Sequence, residues 1–391
     1  MTMYSALRHI PSIFRKHRPI QLTFFVTRKC NARCPWCFYL NSRDAAVDGE
    51  LLSLIEIRKV SGSLGRLLWV AFSGGEVFLR KDLLDVSAIF HDRNRPRIML
   101  FPTNGLLPEA ITDRTECILR RCPNSVIVVK VSLDGLNGAH DELRQSPGAF
   151  EKAMETYRSL GRLRARYPNL ELGINTVFLS ENQDRMDEII DFVAASDTKG
   201  THTVSMIRGN LVEERYKSVD AGKYRRAADR LERNLKDGVS SIHSFAGSRF
   251  KAAQDILQRR LIHGTLLADR RQVPCYAGTL NLVLTETGEI HPCEVLGNSL
   301  GNVRAHGYDV ARLLKSDRAR GILGPIVDGA CHCTHECNFI MNILFNPRLY
   351  PALFKEYLGL GGVRPGAAAA PVASAGTASC PSTAKTDSAG R

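Results

Sequence analysis

No apolar stretch in this sequence approaches the roughly 18 consecutive residues that cross a bilayer. The longest, around Leu22–Val26 and Val126–Val129, are strand-sized. The N-terminus is basic, but no apolar run with a small-residue cleavage site follows it, so no secretory signal is read and a cytoplasmic, reducing setting is expected. Residues 1–29 contain no acid at all, against Arg8, Arg15, Lys16, Arg18, Arg28 and Lys29. There is no internal repeat. Beyond Gly361 bulky apolar residues become scarce, so 362–391, with Cys380 in it, is expected to be a disordered tail.

Positive charge and cysteine are abundant instead. The net charge of +13 over 391 residues suits a solvated basic face, an acidic protein partner, an anionic surface or nucleic acid. Eleven cysteines in a reducing setting argue for metal rather than disulfides. Cys30, Cys34 and Cys37 cluster near the start, and Cys275, Cys293, Cys331, Cys333 and Cys337 near the end. Cys117 and Cys122 read as ordinary structural thiols.

Strand-like runs alternate with helical patterns six times between Gln21 and Ile207. That order predicts an α/β fold with a parallel sheet, a partial (β/α)6 TIM-like barrel. The expected division is a basic amphipathic segment 1–19, a barrel 20–225, a helical linker 226–272, a cysteine-rich module 273–346 and a helix 347–361. The cysteine loop, Gly74-Gly75-Glu76, Thr103-Asn104-Gly105 and Ser132-Leu133-Asp134 each follow a strand. The C-terminal face of a parallel barrel carries its active site.

Cys30-x3-Cys34-x2-Cys37 can hold three corners of a cubane iron–sulfur cluster and leave one iron open to a small molecule. A zinc site with a distant fourth ligand is the alternative. This spacing, in this position and with Trp36 beside the third cysteine, resembles the radical S-adenosylmethionine (SAM) superfamily, over roughly residues 20–225. The resemblance implies a 4Fe-4S cluster on Cys30, Cys34 and Cys37, and SAM bound at the open iron. It implies that Gly74-Gly75-Glu76 holds the SAM amino group, with Asn104 at the next strand end. Ser132 and Asp134 would hold the ribose, Asn175 would lie near it, and Arg144 would pair with the SAM carboxylate. One electron would then cleave SAM to a 5′-deoxyadenosyl radical that abstracts hydrogen from a substrate carbon.

At the other end, Cys275-x12-Gly288-x4-Cys293 precedes Cys331-x-Cys333-x3-Cys337. Leu280–Ile290 reads as a hairpin turning near Thr287-Gly288, which would join Cys275 and Cys293 at its open end. This resembles the SPASM/twitch extension of radical SAM enzymes and implies an auxiliary 4Fe-4S cluster. Five cysteines suffice for one such cluster with a thiol to spare. A zinc ribbon is the alternative, with His291, His332 and His335 nearby; the last two read better as supporting or surface groups.

The expected substrate is a small molecule, a sugar or a lipid-linked intermediate, because about twenty residues before the barrel leave no room for a peptide-recognition domain. The alternative is maturation of a ribosomal peptide or protein. An acidic electron donor such as flavodoxin or ferredoxin, and peripheral membrane contact through the N-terminus and Phe345–Leu360, would suit the charge. Arg208, at the end of the sixth strand, is read either as a substrate anion's partner or as a structural ion pair. A zinc- and nucleic-acid-binding protein without catalysis is the reading from another class, with nucleic acid the least expected partner.

Overall fold

The structure is a computed structural model that describes residues 3–39, 51–329, 331–361 and 363. Cys380 and nearly all of the expected tail lie outside them. A short helix, α1 (Pro11–Phe14), leads into six strand–helix repeats. The strands are β1 (Gln21–Thr27), β2 (Trp69–Gly74), β3 (Ile98–Thr103), β4 (Val126–Ser132), β5 (Leu170–Phe178) and β6 (Thr201–Met206). Between them run α2 (Leu54–Leu64), α3 (Leu83–Asn94), α4 (Pro108–Arg121), α5 (Gly138–Arg144) and α6 (Ala149–Arg164), then α7 (Met186–Ala195).

All six strands pair in parallel with their sequence neighbours. Every residue of β1 is buried, as expected of a strand covered on both faces. Outward-facing Leu170, Leu172 and Ile174 of β5 join Leu22, Phe72, Phe101 and Val129 in the main core under the helices. Phe72 and Phe101 stack there at 4.8 Å. Local signals agree with the packing. Ser53 and Glu56 close a capping box on α2, Ser53 N donating to Glu56 at 2.9 Å and Glu56 N to Ser53 at 3.3 Å. Pro108 opens α4, and Arg120 and Arg121 close it.

After β6 the chain forms α8 (Ala221–Lys236) and α9 (Ser248–Ala268). It then returns to the sheet as β7 (Asn281–Leu284), β8 (Glu289–His291) and β9 (Gly301–Asn302). The hairpin read from the sequence is present, with Gly288 at φ 94° in its turn. β7 pairs in parallel with β1, so the cysteine-rich module extends the barrel's own sheet. The strand order is β6-β5-β4-β3-β2-β1-β7-β8-β9, and the barrel is open between β6 and β9. Four further helices follow among the described residues: α10 (Val310–Leu314), α11 (Asp317–Val327), α12 (Glu336–Leu344) and α13 (Tyr350–Gly359). Sequence reading missed α5, a seven-residue helix inside what reads as a turn around Asp134-Gly135.

Candidate active site

The cysteine loop follows β1 and is held from below by β2. Gly75 N donates to Thr27 O at 2.7 Å and Glu76 N to Lys29 O at 2.8 Å. A Cβ on Gly74 would lie 2.3 Å from Thr27 O, and one on Gly75 would lie 2.1 Å from Lys29 O. These two glycines let the second strand lock the base of the loop, a close backbone approach open only to glycine. Cys34 is buried, while Cys30 and Cys37 are half-buried. Ala32 N points at Cys30 Sγ at 3.5 Å, and Asn104 Nδ2 approaches the same sulfur at 3.8 Å. α5 braces the far side: Trp36 Nε1 donates to Leu143 O at 3.2 Å, and Arg33 N to Arg144 O at 3.1 Å. Burial pushes the Cys34 thiol up to about 11 and raises Cys30 as well. Such thiols stay protonated until a cation draws the proton off. Three sulfurs on one loop with N–H donors beside them fit an iron–sulfur cluster.

The other expected residues divide into three groups. Glu76 is buried beside the loop, accepting from Phe78 N at 3.2 Å, Thr103 Oγ1 at 2.9 Å and Asn104 N at 2.7 Å. Burial outweighs these bonds and lifts its pKa to about 7. Ser132 and Asn175 stand opposite each other on β4 and β5 and line the barrel cavity, about 250 Å³, together with Ser73. Asn175 accepts from Ser205 at 2.8 Å. Asp134 and Arg144 form a buried ion pair, Arg144 Nε donating to Asp134 Oδ2 at 2.7 Å. The other Asp134 oxygen accepts from Val177 N at 2.8 Å, so both oxygens are engaged within the protein. The Arg144 guanidinium also lies 5.2 Å from the Trp36 ring centroid.

The sequence pattern of the radical SAM superfamily matches residues 24–193, which run from β1 through α7 and include the cysteine loop. Residues 24–193 form a radical SAM domain. Among curated proteins, pre-heme d1 synthase of Dinoroseobacter shibae is 29% identical over 215 residues, 53% of this chain and 48% of that protein. The chain thus spans about half the length of that relative. The subtilosin biosynthesis protein AlbA of Bacillus subtilis is 24% identical over 298 residues, 74% of this chain and 59% of AlbA. Among solved structures, anSMEcpe with bound AdoMet and Cp18Cys peptide superposes with a TM-score of 0.55 at 16% identity. It covers 88% of this chain and 99% of that one.

Outside the radical SAM domain, the structure sorts the five late cysteines. Cys275, Cys293, Cys331 and Cys333 line a cavity of about 50 Å³ walled by Val273, Val295, Ile326 and Phe339. Leu296 N points at Cys293 Sγ and Arg271 Nη2 at Cys331 Sγ, both at 3.4 Å. Four thiols with such donors fit a closed iron–sulfur site. Cys337 instead borders the barrel cavity beside Glu294 and His335. Arg208 donates to Glu294 at 3.0 Å and lies 3.8 Å from Glu336, so the structural ion pair is the outcome at that position. His335 is buried, and despite the cost of burial Glu294 holds it well above its usual value; His332 is exposed and meets Asp269 at 3.0 Å. Among the described residues no helix is long and apolar enough to cross a membrane.

Sequence reading missed Lys130, Arg259, Glu294 and Glu336, which all border the barrel cavity. Lys130 had a signal: it is the one charged residue in the apolar run Val126–Val131. Arg259 had none, because α9 reads as a linker helix.

Proposed function

We propose that this protein cleaves SAM reductively and directs the resulting radical at a peptide segment. The observation that carries the reading is the cysteine loop. Cys30, Cys34 and Cys37 are locked onto the barrel by Gly74 and Gly75, with a cavity that Ser73, Ser132 and Asn175 help to line in the same barrel. A reduced four-iron cluster on these thiols would supply the electron that breaks the SAM sulfonium bond. The chain's own part is positioning. The Gly74-Gly75-Glu76 segment would take the SAM ammonium, Asn104 would orient Cys30, and Ser132 and Asn175 would take the ribose hydroxyls. With both oxygens engaged, Asp134 acts through Arg144 to hold α5 against the cysteine loop, and the SAM carboxylate falls to other donors. Enclosure by the barrel and α9 keeps water from the radical.

For the substrate, the relatives favour a peptide over the small or lipid-linked molecule expected from the sequence. AlbA, a bacteriocin biosynthesis protein, matches 74% of this chain, and the anSMEcpe fold likeness, in a structure holding a peptide, extends over 88%. A small molecule is the second reading, favoured by the modest cavity volume. We assign the auxiliary cluster to Cys275, Cys293, Cys331 and Cys333 and the electron supply to an acidic flavodoxin or ferredoxin docking on the basic surface. Cytoplasmic placement belongs to the same proposal, as does membrane-surface contact through exposed Leu7, Ile10 and Phe14.

Anaerobic incubation with SAM and a strong reductant tests the core of this reading. 5′-Deoxyadenosine is expected, and its formation should accelerate with peptides encoded beside this gene. Absence of deoxyadenosine from iron-loaded protein overturns the reading; acceleration only by small metabolites overturns the peptide part.

A further inference from the structure

We propose that the floor of the barrel cavity is a carboxylate-binding subsite built from Lys130 and Arg259, and that the substrate places an acidic group in it. This deepens the radical SAM reading above and rests on it for the cavity's role.

Lys130 faces inward on β4 two residues before Ser132, so it lies one pleat repeat, about 7 Å, deeper in the barrel than the Ser132–Asn175 ledge. Its Nζ donates to Thr201 Oγ1 at 2.6 Å and Thr203 Oγ1 at 3.0 Å on β6. To reach them it crosses β5 at Gly173, where a Cβ would lie 2.6 Å from the Lys130 Nζ. An ammonium has three donors, and among the described residues no carboxylate lies within ion-pair distance of this one. Arg259 reaches the same cavity from α9 and makes no ion pair or hydrogen bond among the described residues.

The other cations around the cavity are matched: Arg208 by Glu294 and Lys251 by Asp255. Two half-buried cations without an ion-pair partner therefore line one cavity, and their charges add to the lowering that burial imposes on the pKa of His202. Enclosing charge without a counter-ion is unfavourable. An arriving anion relieves that cost, and an arginine with a lysine suits a carboxylate. Asp255 and Glu294 also border the space, which favours a monoanion over a doubly charged phosphate. Trp69, Leu100 and Pro102 supply apolar wall for the methylenes of an aspartate or glutamate side chain.

Trp69 is also the reporter, since it lines the cavity and is one of two tryptophans in the chain. The reconstituted full-length protein is titrated anaerobically with glutarate, with a capped Ala-Glu-Ala peptide and with inorganic phosphate, reading tryptophan fluorescence. Saturable binding of either carboxylate is expected. Lys130→Met and Arg259→Met should each weaken it about ten- to a hundredfold, and Lys130→Arg should restore part of it. Preference for the peptide identifies an acidic residue of a peptide; preference for glutarate identifies a free acid. No carboxylate binding, unchanged affinity in both Met variants, or preference for phosphate overturns the proposal. Thermal melts identify a variant that fails to fold; Arg259→Met, on a different element, then carries the test. Substrate-free deoxyadenosine formation by the same wild-type preparation reports separately on the radical SAM reading.

Discussion

The two cysteine sites differ in what surrounds them. The N-terminal trio sits on a loop gripped by backbone contacts from β2, on a barrel whose interior holds a cavity about five times the volume of the C-terminal one. The C-terminal four face one another across a small space walled by aliphatic and aromatic side chains. Three thiols leave a cluster corner for a ligand, whereas four close it, and the small space among the C-terminal four leaves little room beside them. Tyr39 and Arg28, next to the first site, both engage Glu286 in the β7–β8 hairpin of the second module. The two sites are therefore tied together through the sheet that β7 extends.

The most severe way to break the contrast is Cys34→Ala. Deoxyadenosine formation should fall to background while iron falls from about eight atoms per chain to about four, because the second site does not depend on that thiol. Loss of all iron would show that the sites assemble as one. Gly75→Ala should reach nearly the same end without touching a sulfur. Its Cβ would collide with Lys29 O, costing about 3 kcal/mol and displacing the loop, so iron should again fall by about half. Gly138→Ala is the control, since nothing lies within 4 Å of its Cβ position. Equal behaviour of the two in melts and iron content would remove the argument from backbone locking.

At the second site, Cys293→Ser and Cys337→Ser should part company. The first removes a wall of the small cavity and should cost the auxiliary cluster its characteristic absorption and about four irons. The second alters a thiol that borders the barrel cavity and should leave the iron content intact. The reverse result would exchange their assignments.

Much of this was legible in the sequence because it is local. Strand β1 and the start of α4 fall at the residues that periodicity and Pro108 indicate. The cysteine spacing names its own chemistry. The grip of Gly74 and Gly75 on the cysteine loop did not read, because Thr27 and Lys29 come near only after β1 and β2 pair. The Asp134–Arg144 pair was hidden for a similar reason, because α5 looks like a turn until Arg144 folds back onto the strand end. The sorting of Cys337 away from Cys333, four residues earlier, depends on His335 and α12 turning the chain between them. Arg259 carries no mark at all; only tertiary packing brings α9 to the barrel cavity.

The smallest expected effect concerns Lys130 and separates a structural lysine from one kept for a ligand. Burial lowers its pKa to about 8 from the ordinary lysine value of 10.5, with Asp255 opposing and Lys251 adding to the shift. Glu171 from β5 is the other carboxylate near it, and His202 on β6 and His243 also feel its charge, while Thr201 and Thr203 on β6 are neutral. The folded protein therefore releases the proton before the unfolded chain does. Between about pH 8 and 10.5 the unfolded state binds more protons, so the stability of the wild type should rise with pH across that window. Below pH 8 the buried charge is a standing cost of up to about 3 kcal/mol. Lys130→Met should accordingly melt higher than wild type at pH 7, with the difference closing by pH 10.5. A variant that melts lower at pH 7, with no convergence at high pH, would mean that the lysine's bonds to Thr201 and Thr203 hold the barrel together rather than awaiting an anion.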